Sequence, residues 1–153
     1  MMIYTDRKIL KLTLAGLMAA LVFVGSAQRI TIPVDVGTTS FHLGNIMCAL
    51  AGMVLGPVWG GLSAAVGSML YDFTNPLYIS ESWITFLTKG AYGLVVGLVA
   101  WGGNKPSLSY RRALLATSAG AAAYAALYLF KSFAWSGLLV KGLQPAVAAA
   151  SLV

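Results

Sequence analysis

Residues 41–72 read FHLGNIMCALAGMVLGPVWGGLSAAVGSMLYD, a run with no Lys, Arg or Glu whose first acidic residue is Asp72. Its polar groups sit at the two ends: His42 and Asn45 at the start, Tyr71 and Asp72 at the finish. Gly56-Pro57 and Gly60-Gly61 interrupt the middle, and proline cannot continue a helical hydrogen-bond ladder. The run is therefore expected to form two short apolar helices folded back on each other, with both polar ends at one face. Gly52, Gly56 and Gly60 recur at four-residue spacing, as do Ala64 and Ser68. Such small-residue rows let helix backbones approach closely in lipid. The competing reading is a buried hairpin of a soluble protein.

Composition weighs against that alternative. The chain has 153 residues, 59% hydrophobic and 9% charged, with a mean hydropathy of +0.82, whereas soluble domains carry about 25% charge. The net charge of +6 comes without a basic stripe interleaved with aromatics, so nucleic acid is not an expected partner. The basic residues instead lie between apolar runs, as the flanking charges of spanning helices do. Cys48 is the one cysteine, so no disulfide can form within the chain. The reading is one transmembrane domain over 1–153, an all-α integral membrane protein in the lipid bilayer.

Six spans are expected. The first, 9–27, follows Arg7 and Lys8 and reads as a retained span in preference to a cleaved signal peptide. It carries Ala15, Gly16, Ala19 and Ala20, two overlapping small-xxx-small pairs. Residues 28–40 form a polar connection, and the alternation in RITIPVDV (29–36) suggests an extended loop. The hairpin supplies spans 41–57 and 59–72, both short for a bilayer, which implies local thinning or burial within the bundle. Asn75-Pro76 marks a turn, and Ser80 or Ser82 is expected to cap the next helix with Glu81 in its first turn. The fourth span, 83–101, has Lys89 as its one charge, and the fifth, 113–130, is rich in Ala. Residues 137–153 read as a sixth span cut short.

Counting alternate sides, Arg7, Lys8 and Lys11 fall with Lys105, Arg111 and Arg112, and the positive-inside rule makes that side, with the N-terminus, cytoplasmic. The outer face then gathers Arg29, Asp35, His42, Asn45, Asp72, Asn75, Tyr78, Glu81 and Trp83, with Lys131 on the same side. Charge within a span costs about 2.5–3.5 kcal/mol on insertion scales and is by default a functional signal. Lys89 is the clearest case, about 9 Å below the outer end of its helix. Glu81, Thr85, Lys89 and Tyr92 share one stripe. Two readings stand: Lys89 contacts a small organic ligand, anionic or strongly polar, or it is a strut to Asp72 or Glu81.

Enzymatic readings find little to rest on. No Walker A sequence occurs, so no P-loop ATPase lies in this chain. A single His and a single Cys leave no multi-His/Cys metal site. Tyr71-Asp72 resembles half of an intramembrane aspartyl protease site without its second Asp. Ser136-Gly137 lacks the rest of a membrane serine-protease motif, with His42 as its one possible base. An intramembrane hydrolase remains an alternative, as does a stand-alone facilitator or scaffold membrane protein.

The string from Phe41 to Tyr78, with ITFLTKGAYGLVVGLVA (84–100), resembles the substrate-binding S component of energy-coupling factor (ECF) transporters. The resemblance covers residues 8–135 and is most specific over 41–100, where L-A-G-x-x-L-G-P-x-x-G-G occurs at 50–61. Ala15-x-x-x-Ala19 matches the family's motif for contacting the transmembrane T component. The resemblance implies six helices with both ends cytoplasmic, a vitamin-like nutrient bound near the outer face, and a T component and two cytoplasmic ATPases as partners. No cofactor is implied for this chain, since ATP is used by the partner subunits. The loaded S component is expected to topple, carrying its site inward. Riboflavin, folate, pantothenate, a thiamine-precursor pyrimidine and queuosine precursors are all compatible with the family. Bulky residues at Ala15 and Ala19 are expected to block assembly and spare ligand binding.

Overall fold

A computed structural model describes residues 2–34, 37–76, 78–102, 109–131 and 133. Among these, five helices follow one another: α1 (Met2–Ala27), α2 (Gly44–Leu55), α3 (Pro57–Thr74), α4 (Ser82–Trp101) and α5 (Tyr110–Lys131). Among the described residues, three stretches are long and apolar enough to cross a membrane: Lys8–Ala27, Ile79–Trp101 and Tyr110–Phe130. The expected sixth span lies outside the described residues, so the described bundle has five helices and not six.

The central break falls where proline puts it. Gly56 has φ +82°, a backbone conformation suited to glycine, and Pro57 opens α3 at its first turn. The hairpin is therefore α2 and α3 joined through one residue, about 18 and 27 Å long. Its start is later than the sequence suggests. Residues 29–34 and 37–42 are not unpaired but form two antiparallel strands, β1 (Arg29–Val34) and β2 (Gly37–His42), in register from Arg29↔His42 to Val34↔Gly37. Phe41 and His42 are drawn into that ladder, and Leu43 adds one bond by donating its amide to the Gln28 carbonyl at 3.4 Å. Helix α2 begins only at Gly44.

The bundle is built inside out relative to a soluble protein. Its largest fully buried side chains are Val22, Val96 and Cys48, while Leu10, Leu17, Leu62, Leu87, Leu98 and Leu114 face outward. Small residues inside permit backbone-to-backbone packing, and large apolar ones outside suit lipid. Helix α3 packs against α1, α2 and α4, and α5 packs chiefly on α4. The tightest approach joins α2, α3 and α4. A methyl on Gly60 would sit 2.5 Å from the Ala51 carbonyl, one on Gly97 2.5 Å from Pro57 Cα, and one on Gly52 would strike the Gly93 carbonyl. The small-residue rows are thus packing surfaces. Helix α1 is fastened to α3 by Ser63 Oγ, which donates to the Ala15 carbonyl at 2.9 Å and the Trp59 carbonyl at 2.8 Å. At the end away from the β-hairpin, Trp101 Nε1 donates to the Met53 carbonyl and Arg112 Nε to the Val99 carbonyl, each at 2.9 Å. These bonds occupy carbonyls in the last turns of α2 and α4.

Gly97→Ala therefore places a methyl against backbone that cannot yield, and it should cost about 1–3 kcal/mol or more. Gly16→Ala, whose added carbon meets nothing within 4 Å, should leave stability unchanged or slightly raised. Thermal unfolding of both variants in detergent checks the contrast. Parent-like melting of Gly97→Ala would show that α3 and α4 do not meet through backbone.

Candidate ligand-binding site at the hairpin end

Four helices converge on one buried ammonium. Lys89 of α4 is 4% exposed, and its Nζ donates to Asn45 Oδ1 from the first turn of α2. The same Nζ lies 4.8 Å from the centroid of the Tyr124 ring on α5. Cys48, one turn beyond Asn45, is fully buried, with its Sγ 3.8 Å from Ser68 Oγ on α3 and within electrostatic reach of Lys89. Asp72, one turn beyond Ser68, is also buried and interacts through space with Tyr124. The wall on the α4–α5 side is aromatic: Tyr92 meets Tyr124 edge-on at 6.0 Å, and Tyr124 stacks near Tyr128 at 6.2 Å.

A cation at this depth is tolerable only when its hydrogens are engaged. The charge-assisted bond to Asn45 is worth about 1.5–3 kcal/mol, and the Tyr124 face about 0.5–2 kcal/mol. The cluster thus combines an ammonium, a carboxylate, a carboxamide and three phenol rings. Such a set can hold a small polar molecule with a planar portion.

The structure sorts the residues singled out from the sequence. Asn45, Asp72 and Lys89 come together, and Thr85, half-buried, lies one turn from Lys89 on the same stripe. Asn75, Tyr78 and Glu81 lie on the connection to α4, which coils by three-residue steps: Asn75 N donates to Asp72 O at 3.1 Å, Tyr78 N to Asn75 O at 3.0 Å and Glu81 N to Tyr78 O at 3.0 Å. His42 ends β2 opposite Arg29, and Lys131 is the last residue of α5. Trp83 does not join the cluster. It is 52% exposed and repeats with Leu87, Leu94 and Leu98 along the outward stripe of α4. The expected serine cap is also absent: Glu81 precedes α4 without a side-chain cap bond, and Ser82 Oγ instead donates to the Ile79 carbonyl at 2.9 Å. Ser136 lies outside the described residues.

The small row of the first span divides in two. Ala15 is buried and its carbonyl is held by Ser63, while Gly67 is seated on the Ala19 carbonyl. Gly16 and Ala20 face outward. Sequence reasoning missed Cys48, Ser68, Tyr124 and Tyr128 as parts of the site. A signal existed for three of them: Cys48 lies one turn from Asn45, and Tyr124 and Tyr128 are an i,i+4 aromatic pair in an Ala-rich helix.

The sequence matches the family described as ECF-type riboflavin transporter, S component, over residues 6–152. It is 37% identical over 92 residues to an "Uncharacterized protein in gap 3'region" of Pyrococcus woesei, covering 60% of this chain and 57% of that one. It is 38% identical over 84 residues to a UPF0397 protein of Streptococcus gordonii, covering 55% of this chain and 43% of the relative. A UPF0397 protein of Enterococcus faecalis is 33% identical over 89 residues, covering 58% and 46%. The chain spans about half the length of the curated relatives it matches. No solved structure gives a significant match.

If the Tyr124 face holds the ammonium, Tyr124→Phe should keep most of the stability and Tyr124→Leu should lose about 1–2 kcal/mol. Melting of the two purified variants decides it. Equal melting of the Phe and Leu forms would remove the ring from the account of how Lys89 is buried.

Proposed function

The chain belongs to the ECF-type riboflavin transporter S component family, and from that premise we propose that it captures a small water-soluble nutrient for an ATP-driven importer. The observation that carries the reading is the buried Lys89–Asn45–Tyr124 cluster, built by separate helices at one end of an otherwise apolar bundle. Lys8, Lys11, Arg111 and Arg112 mark the opposite end, which by the positive-inside rule is cytoplasmic. The N-terminus is then inside the cell and the cluster faces out, with His42, Asn75, Tyr78 and Glu81 around its approach. ATP hydrolysis falls to two cytoplasmic ATPases acting through a transmembrane T component, because this chain has no P-loop. Riboflavin is the first ligand to test, since it is the one that the family description names.

Fluorescence titration of riboflavin with the purified protein, and uptake by vesicles holding the chain with a T component and ATPases, tests the proposal. Saturable binding and ATP-dependent uptake are expected. Absence of both, for riboflavin and for the other vitamins of the family, would overturn it.

The docking surface needs revision from the sequence reading. With Ala15 and Ala19 occupied by α3, the strip left for a T component is the Gly16–Ala20 edge of α1. Gly16→Trp/Ala20→Trp should abolish complex assembly and transport while the isolated protein still binds ligand. Ala15→Trp/Ala19→Trp should instead lower the melting temperature of the isolated protein. Normal co-purification of T component and ATPases with Gly16→Trp/Ala20→Trp would place the contact elsewhere.

A further inference from the structure

Lys89 has no acceptor atom, so the atom of Asn45 facing it is the carboxamide oxygen. That choice fixes the rest of the group. The Nδ2 hydrogens of Asn45 point away from Lys89, and no group among the described residues accepts from them. Asn45 is half-buried and lies in the first turn of α2, directly after the β-hairpin, whereas Lys89 is 4% exposed. A molecule entering from the hairpin end reaches Asn45 first, and Lys89 stands behind it. Lys89 is already engaged by the Asn45 oxygen and the Tyr124 face. The ammonium also shares the cluster with the Asp72 carboxyl, since both lie within reach of the Tyr124 ring. One cation and one carboxylate leave little net field to attract an anion.

We propose that Asn45 is the specificity-determining contact, and that Lys89 is a positioning residue which turns the Asn45 carboxamide so that Nδ2 meets a neutral acceptor on the ligand. The acceptor is a ring carbonyl or imide oxygen, not a carboxylate. A donor whose partner oxygen is bound to an ammonium is polarised, which strengthens the bond it gives. A site built around such a donor rejects molecules that offer no matching acceptor. This inference rests on reading the cluster as the binding site of an S component.

Asn45→Asp separates the roles, because it keeps an acceptor for Lys89 and removes both Nδ2 hydrogens at nearly constant shape. The full chain is titrated in detergent with riboflavin, a neutral molecule with ring carbonyls, and with pantothenate and folate, which carry carboxylates. Melting temperature is read on each variant. Expected results are riboflavin binding by the parent, at least a hundredfold weaker binding by Asn45→Asp with melting preserved, and roughly tenfold weaker binding by Lys89→Met. In the double variant, Lys89→Met should add no further loss, since its effect passes through Asn45. Parent-like binding by Asn45→Asp overturns the inference. So does preferential binding of pantothenate or folate that Lys89→Met abolishes and Asn45→Asp spares, an outcome that leaves the S-component reading intact. If the parent binds none of the three, this inference fails, and the transport reading fails with it once the other nutrients of the family also go unbound and untransported.

Discussion

Backbone contact between α2, α3 and α4 is the constraint on which the rest of the structure depends. Lipid gives apolar helices no hydrophobic reason to associate, so they must gain from close van der Waals contact. Gly52, Gly60, Gly93 and Gly97 supply that contact by having no side chain where a methyl would collide with a neighbouring backbone. The consequence reaches the site. Asn45 lies seven residues before Gly52, and Lys89 four before Gly93, which is about two turns and one turn along their helices. Once Gly52 rests on the Gly93 carbonyl, the two polar residues meet without any further adjustment.

That meeting explains how an ammonium persists inside an apolar bundle. A buried charge left alone would cost several kcal/mol. Among the contacts that offset this cost are a charge-assisted hydrogen bond to Asn45 and the face of Tyr124, contributed by α2 and α5. The same arrangement gives α5 a second hold on the bundle. Its first half is fixed by Arg112 on the Val99 carbonyl and by Gly120, where an added carbon would strike Val96 and Tyr92. Its second half is drawn in by Tyr124 over Lys89.

Features set by local chemistry were legible in the sequence. Gly56-Pro57 announced the break, Asn75-Pro76 the turn, and the glycine rows the packing faces, because each depends on what a residue's own backbone allows. Features set by a distant partner were not. RITIPV read as extended, yet its pairing with GTTSFH took two residues from the expected second span, and nothing local marks where a strand stops and an apolar helix starts. The four small residues of α1 carried no phase information. Ala15, Gly16, Ala19 and Ala20 are equally smooth, and only Ser63 and Gly67 on α3 decide that Ala15 and Ala19 turn inward. Lys89 was conspicuous because charge is rare in a span, whereas Tyr124 was hidden in a helix whose sequence has no strongly apolar face.

The division of α1 has a mechanical consequence. Its inward row joins it to α3, while Asn45, Ser68, Lys89 and Tyr124 bring α2, α3, α4 and α5 to the cluster. The outward row of Gly16 and Ala20 supplies neither of the groups described on the ammonium, Asn45 and Tyr124. Helices α3 and α2 meet both α1 and the cluster: α3 has Ser63 and Gly67 on the α1 side and Ser68 and Asp72 in the cluster, and α2 has Gly44 and Met47 against Gly25 of α1, on either side of Asn45. Gly67 and Ser68 are adjacent, so a displacement of α1 can reach the site through a single turn of α3, and through Gly25 it can also reach the first turn of α2 that holds Asn45. Coupling between docking and binding, if a partner exerts it, has short physical routes through these two turns.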